Sequence, residues 1–177
     1  MKENLILCGF MGCGKTTVGK RLAAATGREF IDMDRFIENQ AGMTVSEIFA
    51  AQGEGAFRQM ETEAARSLSA REGLVIASGG GTVLNPENVR LFRQTGKILL
   101  LDVPLSALQE RLKTDTQRPL LQRPDRREFI EALHRQRMPL YRQAADLVVP
   151  AGAPARMVVE RIQHLLCRPG SPTVQPP

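Results

Sequence analysis

Gly9-Phe10-Met11-Gly12-Cys13-Gly14-Lys15-Thr16 fits the pattern G-x-x-x-x-G-K-[ST] of a phosphate-binding loop. Glycines let a backbone close around an anion without Cβ clashes. The loop N–H groups and the positive end of the following helix then face the phosphates. Lys15 is expected to reach the β- and γ-phosphates of ATP as a point charge, and Thr16 to place its hydroxyl on Mg²⁺. Gly12, Cys13, Gly14 and Thr17 complete this nucleotide cradle. Cys13 reads as a small space-filler; because a helix N-terminus lowers a thiol pKa, a reactive thiol is the other reading.

Further along, Asp32 and Asp34 form Asp-Met-Asp at the end of an expected strand. Residues two apart on a strand point the same way. Two carboxylates beside an ATP tail repel unless a metal or hydroxyl lies between them. One is therefore expected on the Mg²⁺ side and one on a substrate hydroxyl. The alternative is a pair of solvated acids capping the next helix. Ser78 and the glycines stand where many ATPases with this loop carry an acid, so the metal is left to Thr16, phosphates, water and Asp32.

Arg58 and Glu61 lie one helical turn apart beside the apolar stripe Phe57, Met60, Ala64 and Leu68. A carboxylate at i+3 can hold a guanidinium for bidentate recognition of a substrate carboxylate. A surface ion pair is the bland alternative. Gly79-Gly80-Gly81 follows a strand directly, which suits close backbone approach to a ligand better than a linker. Arg118, in the Pro-containing stretch with Arg118-Pro119 and Arg123-Pro124 that reads as a lid, is expected to stabilise charge on a moving phosphoryl group. Arg137 is either a second anion-binding group or an exposed helical arginine, and Arg111 either stacks on adenine or is ordinary surface. His134 and His164 read as exposed helix positions, since neither has a second ligand at metal spacing.

The elements that must position these groups alternate. Asn4–Cys8, Glu29–Asp32, Leu74–Ser78, Lys97–Leu101 and Asp146–Val149 read as strands. Val18, Leu22 and Ala25 follow the loop at helical spacing, and Gly27 suits a C-cap. Thr44-Val45-Ser46-Glu47 is a capping box, and Asn85-Pro86-Glu87 an N-cap with proline at the first helical position. The rhythm predicts an α/β fold of three layers, a five-stranded parallel sheet with helices on both faces. A single domain over residues 1–167 is expected. Residues 34–71 form a helical substrate-binding insertion, residues 114–127 a lid, and residues 168–177 a disordered tail.

The bulk properties narrow the classes. With 177 residues, 42% hydrophobic and 24% charged, the chain suits one globular core. No apolar run approaches the ~20 residues that span a bilayer. Met1-Lys2-Glu3 leads into the first strand, so no signal peptide is expected, and three cysteines without metal spacing suit a reducing cytoplasm. The net charge of +5 concentrates between Lys113 and Arg142, where a small anionic ligand explains it as well as a polymer does. No nucleic acid motif is present, there is no Trp, and one Tyr offers little stacking.

In series, Gly-Phe-Met-Gly-Cys-Gly-Lys-Thr, Asp-Met-Asp, Phe-Arg-Gln-Met-Glu, Gly-Gly-Gly, and Arg-Pro-Leu-Leu followed by Arg-Met-Pro-Leu-Tyr resemble shikimate kinase, from about Asn4 to Val149. The resemblance implies a nucleoside-monophosphate-kinase-like P-loop fold. It also implies transfer of the γ-phosphoryl of MgATP to the 3-hydroxyl of shikimate, in aromatic amino-acid biosynthesis. By that likeness Asp34 holds the ring hydroxyls and orients or deprotonates the attacking one. Arg58 and Arg137 grip the carboxylate, with Gly79, Gly80 and Gly81 at the substrate. Lys15 and Arg118 serve the phosphates, Thr16 and Asp32 serve Mg²⁺, and Arg111 flanks adenine. A monomer is expected. Cys13 departs from the family's usual Ser. The stretch Val149 to Arg156 departs from its usual Asp-Thr adenine loop, leaving Arg156 a weak candidate there. A gluconate-type kinase and a non-enzymatic ATP-dependent interaction module are the competing readings.

Overall fold

A computed structural model describes residues 2–115 and 121–167. Five parallel strands form one sheet in the order β2-β3-β1-β4-β5. They are β1 (Asn4–Cys8), β2 (Glu29–Asp32), β3 (Leu74–Ala77), β4 (Gly96–Asp102) and β5 (Leu147–Pro150). The central strand β1 is wholly buried, as both faces of a covered parallel sheet must be. Its first residue is polar and equally buried. Asn4 donates to Arg71 O at 2.7 Å and accepts from Leu74 N at 2.9 Å, which sets where β3 begins beside β1.

The helices are α1 (Lys15–Thr26), α2 (Met33–Ala41), α3 (Val45–Ser69), α4 (Pro86–Thr95), α5 (Leu105–Leu112), α6 (Arg126–Ala144) and α7 (Ala155–Leu166). Helix α1 packs on β2 and β3 and against α7, whereas α4 packs on β1 and β4 and against α3. Gly19 allows the close approach of α1: a Cβ there would lie 2.5 Å from the Phe30 ring. The expected caps are present at Gly27, Thr44 and Asn85, with the capping box formed in both directions.

Strand edges differ slightly from expectation. Strand β3 stops one residue short of Ser78, and β5 starts one residue after Asp146. Asp146 instead caps the start of β5: its carboxylate accepts the Ile98 N–H at 2.8 Å and pairs with Arg93 at 2.9 Å. The insertion over 34–71 holds α2 and α3. The latter is interrupted at Gly53, whose φ of 81° and ψ of 173° lie outside helical space. No helix among the described residues is long and apolar enough to cross a membrane. The expected tail at 168–177 lies outside the described residues.

Candidate active site

Every strand runs parallel, so the loops at their C-terminal ends share one edge, and the chemistry collects there. The phosphate loop leaves β1 with Gly9, Gly12 and Gly14 at φ of 141°, 77° and 97°. These values favour glycine, and at Gly12 a Cβ would also press on Leu112 at 3.0 Å. Gly14 offers α1 no side-chain cap, so the first N–H groups of the helix stay available to an anion. Lys15 folds back onto its own loop, donating to Gly9 O at 2.8 Å and Phe10 O at 3.2 Å. Cys13 is buried, its sulfur 3.8 Å from the Lys15 ammonium, which agrees with a space-filling role. Arg111 donates to Gly12 O at 3.1 Å and so stands against the same loop.

The acid pair is built differently from the strand geometry expected. Asp32 ends β2 and is the N-cap of α2, accepting from Arg35 N; Asp34 sits in that helix's first turn. The chain turns helical immediately after Asp32, so alternation along a strand no longer relates the two. Both still face the loop. Thr16 Oγ1 donates to Asp32 Oδ2 at 2.9 Å, which puts two hard oxygen donors side by side. Asp34 is pushed up to about 6, first by burial, then by the charges of Asp32 and Glu61, with Lys15 pulling the other way.

The Arg58–Glu61 pair is not a surface pair. Glu61 is only 1% exposed and holds Arg58 Nη1 at 2.6 Å, while its other oxygen accepts from the Thr82 hydroxyl. Glu54 pairs with the other side of Arg58 at 2.9 Å. Burial alone would lower the guanidinium pKa, but the two carboxylates outweigh it and the net shift is upward. In the stripe beside this pair, Phe57, Ala64 and Leu68 are buried and Met60 is half-buried.

Gly79, Gly80 and Gly81 are the meeting point. A Cβ at Gly79 would lie 3.0 Å from Asp34 Oδ1 and 2.7 Å from Glu61 Oε1. One at Gly80 would lie 3.6 Å from Arg137 Nη1, and one at Gly81 would collide with the Arg58 guanidinium. Arg58 and Arg137, from two distant helices, therefore stand over adjacent glycines. Tyr141, fully buried, donates to Gly80 O at 2.6 Å. A cavity of about 350 Å³ opens between the halves, lined by Gly12, Lys15 and Thr16 on one side and Asp34, Gly79 and Gly80 on the other. A larger cavity of about 520 Å³, between Val83, Val89 and Leu140, has no acid or nucleophile in its lining.

Two residues were not singled out by their spacing for what they do here, Thr82 and Tyr141; Glu61 holds Arg58 as expected, but its full burial was not foreseen. The hydroxyl at 82 follows the glycines and the tyrosine lies four residues after Arg137, so proximity to flagged residues was the available signal. His134 departs from expectation: its ring is half-buried and meets Phe10 edge-on at 5.4 Å. His164 is exposed as expected. Arg156 pairs with Glu160 at 3.5 Å on α7. Arg118 lies outside the described residues. The ends of its segment are joined by Arg126, which donates to Leu121 O at 2.7 Å and Lys113 O at 2.7 Å.

A glycine cradle with Lys and Thr on one side, and two guanidiniums with a carboxylate on the other, define a P-loop small-molecule kinase. The chain matches the model of the shikimate kinase family over residues 11–167, and it belongs to that family. It is 45% identical over 164 residues to the shikimate kinase of Pelotomaculum thermopropionicum, covering 93% of this chain and 95% of the relative. The shikimate kinase of Acinetobacter baumannii, solved in complex with shikimate, superposes with a TM-score of 0.87 at 37% identity, covering 94% and 93% of the two chains. A gluconokinase from Sinorhizobium meliloti, at 17% identity and a TM-score of 0.54, shares the fold alone. The family's activity is ATP-dependent phosphorylation of shikimate to shikimate 3-phosphate.

Proposed function

We propose that the pocket between the phosphate loop and the glycine triplet carries out this reaction, with each residue in a definite role. The observation that supports it best is the convergence of Arg58, Arg137 and Asp34 on Gly79–Gly81, facing Lys15. A ringed acid with one carboxylate and several hydroxyls needs that set: cations for the carboxylate, an acceptor for a hydroxyl, and a backbone without side chains beneath the ring.

In this reading Arg58 and Arg137 grip the carboxylate of shikimate. Asp34 accepts the 3-hydroxyl and takes its proton as the new O–P bond forms and the bond to the ADP leaving group breaks. The transition state of phosphoryl transfer is loose, so orientation and charge neutralisation matter more than base strength, and a carboxylate of pKa about 6 suffices. Lys15 leaves the carbonyls of Gly9 and Phe10 for the β- and γ-phosphates. The first-turn N–H groups of α1, with Gly12, Cys13, Gly14 and Thr17, bind the same tail. The paired oxygens of Thr16 and Asp32 fit Mg²⁺, which takes few protein ligands and keeps its waters. When bound it supplies charge neutralisation between the phosphates. Arg118, within a lid over 114–127, adds positive charge at the transferred group, and Arg111 flanks adenine.

Substitution of the arginines tests this. Arg58→Ala and Arg137→Ala are each expected to raise KM for shikimate about 10- to 100-fold, the worth of a charged hydrogen bond, with KM for ATP within twofold. ADP release is measured with shikimate and gluconate side by side. Turnover on gluconate alone, or an unchanged shikimate KM in both variants, overturns the reading; ATP binding with no turnover on either favours the interaction module.

A further inference from the structure

Tyr141 is the only tyrosine of the chain and is fully buried. Its hydroxyl donates to Gly80 O at 2.6 Å, and the Arg137 guanidinium stands next to both groups. In a trans peptide the C=O of one residue and the N–H of the next point opposite ways. Anchoring Gly80 O therefore also fixes the direction of the Gly81 N–H. That matters because the peptide lies between two glycines, where backbone rotation meets least resistance. Neither the Gly80 nor the Gly81 N–H has a hydrogen-bond acceptor among the described residues. Two free donors on a turn beside which Arg137 and Arg58 stand are useful to one ligand only if they face one way.

We propose that Tyr141 is a positioning residue for shikimate: its hydroxyl fixes the Gly80–Gly81 peptide plane and the Arg137 guanidinium relative to each other. The carboxylate end of the substrate then meets one preset arrangement instead of ordering it on binding. Tyr141 touches neither substrate nor nucleotide in this role. Burial raises its own pKa to about 12, against the opposing pull of Arg137, so the phenol stays protonated as a donor throughout the working range. The inference rests on the carboxylate-binding role of Arg137 stated above.

Tyr141→Phe keeps the ring and removes the hydroxyl. It is expected to lower kcat/KM for shikimate about 5- to 100-fold, the cost of leaving a buried carbonyl without its donor, with KM for ATP within twofold. On shikimate methyl ester, which lacks the carboxylate charge, the loss is expected to be threefold or less. Combined with Arg137→Lys the effects should be less than additive, because both changes break one arrangement. A purely structural tyrosine would lower melting temperature and depress both substrates and ATP alike; equal losses on acid and ester overturn the proposal. A second measurement needs no variant. With no Trp in the chain, intrinsic tyrosine emission reports Tyr141 alone. Shikimate should change that emission and ADP alone should not; an emission insensitive to shikimate also overturns the proposal. If Arg137→Ala leaves shikimate KM unchanged, the carboxylate reading itself fails. If Arg137→Ala raises KM while Tyr141→Phe does not, only the positioning role fails.

Discussion

In the role proposed for it, Asp34 trades stability for chemistry. Its pKa is raised from 3.8 to about 6 by burial and by the neighbouring acids Asp32, Glu61 and Glu38. The sign follows from linkage: a carboxyl whose folded pKa is raised favours the folded state below its unfolded pKa, near 4. That contribution is lost as pH rises through about 6. Asp34→Asn, which stays neutral, is therefore expected to match the parent near pH 4 and to be more stable above pH 6. The gain should be roughly 1–3 kcal/mol, read from thermal or denaturant unfolding without ligands, while turnover is lost. A variant no more stable at pH 7.5 than at pH 4, relative to the parent, would show that the burial cost is relieved elsewhere. For the parent enzyme, kcat/KM for shikimate should climb as pH rises through about 6, since the ionised form accepts the hydroxyl.

At the scale of elements, the glycine triplet is where α2, α3 and α6 are brought into register. Asp34 from α2, Glu61 from α3 and Thr82 all crowd the place a Cβ would take on Gly79, at 2.7 to 3.0 Å. Gly79→Ala must therefore displace an acid that is hydrogen-bonded on both oxygens. Overpacking of this kind costs about 1–3 kcal/mol, and kcat/KM for shikimate should fall at least tenfold with nucleotide affinity nearly unchanged. Retained shikimate kinetics would mean that the turn gives way without moving Asp34 or Arg58. The elements themselves were legible: strand, glycine loop and helix at residues 4–26, and the caps at Thr44 and Asn85, follow from local residue chemistry. The geometry of Asp-Met-Asp was not. Local alternation suggested a strand face; the capping alternative holds for Asp32, which caps α2, while Asp34 is buried in the first turn rather than solvated, as Met33 and Ile37 pack into the core.

In the whole molecule the two sides of the pocket come from different parts of the chain; in the proposed reading residues 9–17 serve the nucleotide, and residues 34–81 with α6 serve the acid. Binding should therefore order them separately. In hydrogen exchange, ADP alone is expected to protect residues 9–17, whereas shikimate protects α2, α3 and residues 79–84. Protection of the acid half by ADP alone, to the same degree as by shikimate, would contradict two separately built halves.

The residues alone pointed to the phosphate loop and the parallel alternation, because glycine, capping residues and apolar spacing act over one or two turns; they left Asp34, Arg58 and Arg137 each with a structural alternative, and only the family resemblance gave those three substrate roles. Folding decided that Arg58 and Arg137 stand over neighbouring glycines, that Glu61 is sealed from water, and that a lone tyrosine hydroxyl ends on Gly80 O. Those facts depend on contacts between segments tens of residues apart. Sheet order and helix packing set such contacts, and no local spacing encodes them.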